Sequence, residues 1–246
     1  QTPWCIGLGS GGATGWPGTD WVEDLLLRLS PPEIYDRWVS NDLPFDAPEI
    51  IAAIEAFGWF ARDDRFVRGG AASVAASDFR DSPMGLFSSP PGCYLHRQGS
   101  FITSYFPEGT QIGEDADFFY FPASDAADLG QPVLGAGTMA ARMTDNPAGA
   151  ALIAFLQTPA AHEIWMAQEG FVTPHLGANT AIYADDAQRR MGEIMRGASV
   201  FRFDGSDLMP GAIGAGAFWT AMVDYTSGKS AEEVAGAVQA TWDALR

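Results

Sequence analysis

The chain of 246 residues contains a single lysine, Lys229, and only 14 basic residues in all against 31 acidic ones, for a net charge of −17. Phosphate binding draws on clustered lysine and arginine, so this shortage excludes a nucleic-acid partner and disfavours anionic lipid headgroups. No apolar run reaches the roughly 20 residues that span a bilayer. Cysteine is scarce too, with Cys5 and Cys93 alone. Two thiols do not complete a zinc site. They form either one disulfide, which implies an oxidising compartment, or two unrelated buried thiols. The three histidines, His96, His162 and His175, are not paired at metal-ligand spacing. No G-x-S-x-G elbow occurs, and no pattern points to a catalytic residue. The chain opens at Gln1 without Met and without a visible secretory signal, so further residues are expected upstream.

What is present is a globular composition, 47% hydrophobic with only 18% charged residues. Helix signals are frequent. Asp20 with Glu23 reads as a capping box before Val22, Leu25, Leu26 and Leu29, and Asp46 with Glu49 repeats it before Ile50, Ile51, Ile54 and Phe57. Asn146-Pro147 and Thr158-Pro159 open two further helices, the second stopped by Gly170. Others are predicted over 185–196, from 217 to Gly228, and from a Ser230/Glu233 capping box to about Leu245. Short strands are predicted at 84–89, 118–122 and 138–142. Helices interleaved with strands indicate an α/β fold.

The opening stretch TPWCIGLGSGGATGWPGTDW sets three tryptophans among glycines. Gly7, Gly9 and Gly12 fit G-x-G-x-x-G, but no hydrophobic strand leads directly into a helix there, so a dinucleotide site is not supported. Asp20, Glu23 and Asp24 are explained as first-turn charges that favour a helix N-terminus. Flat aromatic rings beside directed polar groups suit a sugar, whose C–H face stacks and whose hydroxyls need donors and acceptors. GAFW, ending in Trp219, repeats the theme, while CYLHRQGSF sets His96, Arg97 and Gln98 near Phe101.

These segments, together with YDRWVSNDLPFDAPEIIAAIEAFG and FRFDGSDLMPGAIGAGAFWTAMVDYTSGKS, resemble the α-glucoside-binding proteins of bacterial ABC transporters. Those proteins belong to the family 1 extracellular solute-binding proteins, relatives of the maltose-binding protein. The resemblance implies a periplasmic-binding-protein-like fold of two α/β lobes that holds a sugar in an interlobe cleft. It implies export to the periplasm, delivery to the permease subunits of an ABC importer, and neither catalysis, metal nor cofactor. It also implies that this chain begins inside the C-terminal lobe, without the signal peptide and most of the N-terminal lobe. On that reading residues 1–137 and 181–246 are the C-terminal lobe, and 138–180 cross over to the N-terminal lobe. The helices 147–157 and 159–169 would then lack their natural partners.

Carried over position by position, the resemblance makes Trp4 and Trp219 stacking aromatics and sets Phe101 near a third. Gly135 and Gly137 fall where backbone approaches the ligand, and Arg97 and Asp207 would bond hydroxyls. Trp16 either lines the cleft or packs behind it. Where relatives carry an acidic residue after the glycine run, this chain has Thr138. Export implies a Cys5–Cys93 disulfide, pinning the Trp4 segment to the HRQGSF segment. The rival readings are a carbohydrate-active enzyme, such as a glycoside hydrolase fragment, and a structural domain whose aromatics are all core.

Overall fold

A computed structural model describes residues 1–124, 128–168 and 170–245. The chain is mixed α/β. Its strands are β1 (Thr2–Trp4), β2 (Cys93–Leu95), β3 (Pro132–Gly135) and β4 (Val200–Phe203). Its helices are α1 (Trp16–Leu29), α2 (Pro32–Val39), α3 (Pro48–Ala61), α4 (Ser73–Ala76), α5 (Pro147–Leu156), α6 (Pro159–Met166), α7 (Asp186–Gly197), α8 (Gly205–Leu208), α9 (Trp219–Thr226) and α10 (Ala231–Asp243). Two compact units result. Gln1–Gln111, Phe121–Gly135 and Ser199–Arg246 form the first, and Ile112–Tyr120 with Ala136–Ala198 the second. The segment 138–180 lies wholly in the second unit.

The first unit is built around α1, α3, α9 and α10. Helix α3 buries Ile50, Ala53, Ile54, Phe57 and Ala61, a stripe at three- and four-residue spacing. Helix α10 does the same with Ala231, Val234, Ala235, Val238 and Trp242. Helix α1 is covered on two sides. Trp21, Val22, Leu26 and Leu27 enter the apolar core, while Thr19, Glu23, Asp24 and Arg28 are buried as well, on a polar face. Parallel ladders join β1 to β2, with Trp4 opposite Leu95, and β3 to β4, with Gly135 opposite Phe203. The second unit has a small core of Met166, Ala178 and Tyr183, with Phe171 and Ile182 packed on it. There the Tyr183 hydroxyl accepts the Thr173 N–H at 3.0 Å.

Several expected elements form as read. Asn146 and Thr158 cap α5 and α6 with their side chains, and Asp185 caps α7. The Ser230/Glu233 box closes with bonds of 3.2 and 2.8 Å. Glu169, at the expected end of the helix opened by Thr158, lies outside the described residues; α6 ends at Met166.

Other expectations fail. The Asp20/Glu23 pair is not a capping box. Helix α1 starts four residues before Asp20, at Trp16, behind Gly15 with φ +114° and with Pro17 in its first turn. Nor does Asp46 cap α3, whose N-cap residue is Ala47. Helix α9 starts at Trp219 rather than 217, because Ile213–Phe218 make a π-helical turn before it. The strand expected at 84–89 is replaced by a 3-10 turn over Ser82–Gly85. None forms over 118–122: the carbonyls of Phe121 and Pro122 accept from the Arg28 guanidinium, at 2.8 and 2.9 Å, instead of from a neighbouring strand. Residues 138–142 are exposed and irregular, and pairing ends at Gly135.

Candidate functional site

Helix α1 organises the candidate site in the first unit. Gly15 is required at its start, because its φ of +114° is strained for an L side chain and a Cβ would collide with the Trp219 carbonyl. The Trp16 ring therefore leaves the first turn at a set angle. It packs edge-on against Phe79, with ring centroids 5.1 Å apart, and lies 6.0 Å from Phe101. Tyr105 adds a further ring 5.7 Å from Phe79, and the Arg80 guanidinium stacks over Phe79, 4.4 Å from its centroid. Phe101 and Tyr105 are 43% and 39% exposed, so the cluster offers aromatic surface to solvent.

One turn along the same face of α1 stands Asp20, since residues four apart are neighbours on a helix. Its Oδ2 lies 3.7 Å from Arg97 Nη1. Arg97, on the loop after β2, donates from Nε and Nη2 to Asp24 Oδ2 at 3.2 and 3.1 Å. Its guanidinium sits 5.4 Å over the Trp21 ring. Asp24 is also paired with Arg28. Burial pushes the Asp20 carboxyl up to about 7; Arg97 opposes this, and the negative charges of Asp204, Asp24 and Asp207 add to it.

Glu23 faces the start of α8. Its carboxylate accepts the N–H groups of Gly205 and Ser206 at 2.7 and 3.1 Å, and the Tyr35 hydroxyl lies 3.1 Å away. That hydroxyl is also 2.9 Å from the Phe203 carbonyl, and its one proton serves a single acceptor at a time. Burial holds Glu23 well above the usual carboxylate range, against the two backbone bonds that favour its charge. Asp204 Oδ1 accepts from Ser206 Oγ at 2.8 Å and from the Asp207 N–H at 3.0 Å. Glu23 and Asp204 between them thus hold the β4–α8 junction.

The residues singled out in the sequence are distributed as follows. Trp16 and Phe101 lie together, Arg97 stands beside Asp20 one helical turn along α1 from Trp16, and Asp207 is close enough for its charge to act on Asp20. Trp219 is half-buried at the start of α9, and its Nε1 is buried with no partner among the described residues. Trp4 stacks on Phe60 at 5.2 Å and meets Trp21 edge-on at 5.4 Å, so at least part of its ring surface is spent on the core. Gly135 ends β3, and its carbonyl accepts the Asp204 N–H at 2.9 Å. Gly137 is exposed in the second unit. Cys5 and Cys93 are joined in a disulfide with Cα atoms 5.6 Å apart, between the chain just after β1 and the start of β2. Beside it His96 Nδ1 lies 2.9 Å from the Cys5 carbonyl, which assigns the ring proton to Nδ1; burial lowers the ring's pKa.

The sequence reading did not count Asp20, Phe79 or Tyr105 among its candidate site residues. The signal for Asp20 was its four-residue spacing from Trp16, which becomes meaningful only once the helix is known to begin at Trp16. Among the described residues no group of three or more His, Cys, Asp or Glu is arranged to hold a metal ion, and no helix is long and apolar enough to cross a membrane.

A cluster of exposed rings beside a buried charged pair is the chemistry of a binding surface for a polar, partly flat ligand. Comparison with known proteins leads to the same class. No family model matches the chain. The chain is 61% identical over 247 aligned positions to the alpha-glucosides-binding periplasmic protein AglE of Rhizobium meliloti (strain 1021), covering 100% of this chain and 54% of that protein. It is 40% identical over 242 positions to the osmoprotective compounds-binding protein GgtB of Synechocystis sp. (strain ATCC 27184 / PCC 6803 / Kazusa), covering 98% of this chain and 57% of that protein. The resemblance to α-glucoside-binding proteins is borne out, and the chain is a relative of such binding proteins over its whole length. It spans about half the length of the curated relatives it matches.

Proposed function

We propose that the protein is the substrate-binding component of an ABC importer for α-glucosides or related oligosaccharides. The observation that carries this is kinship along the entire chain with a protein named for binding α-glucosides. On this reading it works in the periplasm, its ligand is a small sugar, and its partners are the permease subunits of the importer. The whole protein has two α/β lobes, with residues 1–137 and 181–246 in the C-terminal lobe and 138–180 in a segment crossing to the other. Such a trap closes because the ligand binds the closed state more tightly than the open one.

The face on α1 supports the same reading. Phe101 and Trp16 supply aromatic surface for the C–H face of a pyranose, and Arg97 and Asp207 supply directed polar groups for its hydroxyls. Trp219, half-buried at the start of α9, is a further ring for stacking. The role is binding without turnover. Glu23, the most deeply buried carboxyl of the cluster, already has both oxygens engaged by Gly205, Ser206 and Tyr35, so it is not free to act as a hydrolytic acid or base.

A tryptophan-fluorescence titration of the full-length protein with trehalose, sucrose and maltose tests the proposal. A saturable change with at least one sugar is expected, together with no hydrolysis of aryl α-glucosides. A flat response to every sugar, or turnover that disappears on changing one carboxylate, would overturn it.

A further inference from the structure

Asp20 is unusual among the polar groups of the first unit. Its side chain is 17% exposed, close to that of Arg97 at 16%, so both are mostly withdrawn from water yet reachable. Glu23 and Asp24 each have hydrogen-bonded partners. Asp20 has none among the described residues. Its nearest cation, Arg97 Nη1, stands 3.7 Å away, beyond hydrogen-bond reach. Arg97 spends Nε and Nη2 on Asp24, so its Nη1 is left without a hydrogen bond among the described residues. An acceptor and a donor, both poorly hydrated and both unfilled, therefore stand side by side. Leaving such groups unpaired costs free energy that a suitable ligand recovers. The pair sits one helical turn from Trp16, whose ring lies beside the exposed Phe101.

We infer that Asp20 and the Nη1 edge of Arg97 form a hydroxyl-recognition pair for the sugar, Asp20 accepting from one hydroxyl and Arg97 donating to the oxygen of its neighbour. The inference rests on the binding reading and adds to it the residue that selects a vicinal diol lying against the Trp16–Phe101 surface. A hydroxyl that donates to a carboxylate favours the ionised form. The charged groups facing Asp20 are Glu23 and Asp24 on its own helix, Arg97 from the loop after β2, and Asp204 and Asp207 at the β4–α8 junction. Burial, with the charges of Asp204, Asp24 and Asp207 set against the Arg97 guanidinium, keeps Asp20 titrating near neutrality in the free protein. Sugar binding should therefore draw a proton off Asp20, and affinity should weaken as pH falls.

The test is sugar affinity of the full-length protein by fluorescence titration, from about pH 8 to about pH 6, using whichever of trehalose, sucrose and maltose gives a saturable signal. The wild type should bind about tenfold more weakly at the acid end, as one-proton linkage requires. Asp20→Asn should bind at least about tenfold more weakly than the wild type at the alkaline end and show a flat pH profile. Thermal unfolding of the variant confirms that it is folded, and the wild-type profile stands as an independent readout if it is not. Equal affinity in the variant, or a wild-type affinity that does not fall on acidification, overturns the inference while leaving the binding reading intact. If the wild type binds none of the sugars, the binding reading fails and the inference falls with it.

Discussion

At the scale of single residues, what each side chain does here depends on what faces it more than on its type. Gly15 is the plainest case. With φ +114° and the Trp219 carbonyl where a Cβ would be, Gly15→Ala should destabilise the protein by about 2 kcal/mol or more, read as a shift in the urea unfolding midpoint. Asp20 behaves differently. Its carboxyl is raised from 3.8 to about 7, so the folded protein holds this proton more tightly than the unfolded chain does. The stability it contributes is full below its unfolded pKa and is lost as pH rises from about 4 through about 7. Asp20→Asn should therefore be more stable than the wild type above neutrality, by on the order of 2 kcal/mol, with the difference shrinking toward pH 4. Matching unfolding midpoints for the two proteins at every pH would refute this. Trp16 and Phe101 test the aromatic face. Replacing either by Ala should lower sugar affinity about tenfold while leaving the fold in place, because neither ring is in the apolar core of the unit.

At the scale of elements, α1 is the key piece because it is buried on both a polar and an apolar side. Its apolar side meets α3 and α9, as the Val22–Leu26 spacing suggests. Its polar side carries Glu23 to the start of α8, a helix of four residues too short to hold itself. Glu23→Gln keeps the shape but sets an NH₂ group against backbone N–H donors. It should cost about 1–3 kcal/mol and speed amide exchange at Gly205 and Ser206. Unchanged exchange there would mean that α8 is held by Asp204 alone. All three capping boxes read from sequence had the right residue types, yet only the Ser230/Glu233 box formed. Nothing upstream of Ser230 competes for the start of α10, whereas Gly15 and Pro17 start α1 earlier than Asp20 could.

At the scale of the whole molecule, the Cys5–Cys93 disulfide ties the chain after β1 to β2 across 88 residues of sequence. Closing so long a loop restricts the unfolded chain, and replacing both cysteines by Ala should cost about 2–5 kcal/mol. In protein unfolded without reductant, a thiol titration should find no free thiol. The bond also fixes β2 beside β1, and the loop carrying Arg97 and Phe101 follows β2 directly, so the double variant should also bind sugar more weakly at a pH and temperature where it remains folded.

Sequence alone determined the features set by near neighbours along the chain: the capped starts of α5, α6, α7 and α10, the apolar stripe of α3, the acidic and lysine-poor surface, and the motifs that mark its kinship with α-glucoside-binding proteins. Those depend on spacings of a few residues, or on composition. Tertiary structure decided the rest. The strands, of three or four residues, are defined by partners far away in sequence, such as Thr2 opposite Cys93, and no local pattern announces them. The 118–122 segment looks like a strand and is not one, because the Arg28 side chain takes the carbonyls of Phe121 and Pro122. Asp20 and Glu23 read as caps and became buried groups at a candidate site, since whether a carboxylate meets water, a backbone N–H or a guanidinium is settled only when Arg97, Gly205 and Ser206 are folded against α1.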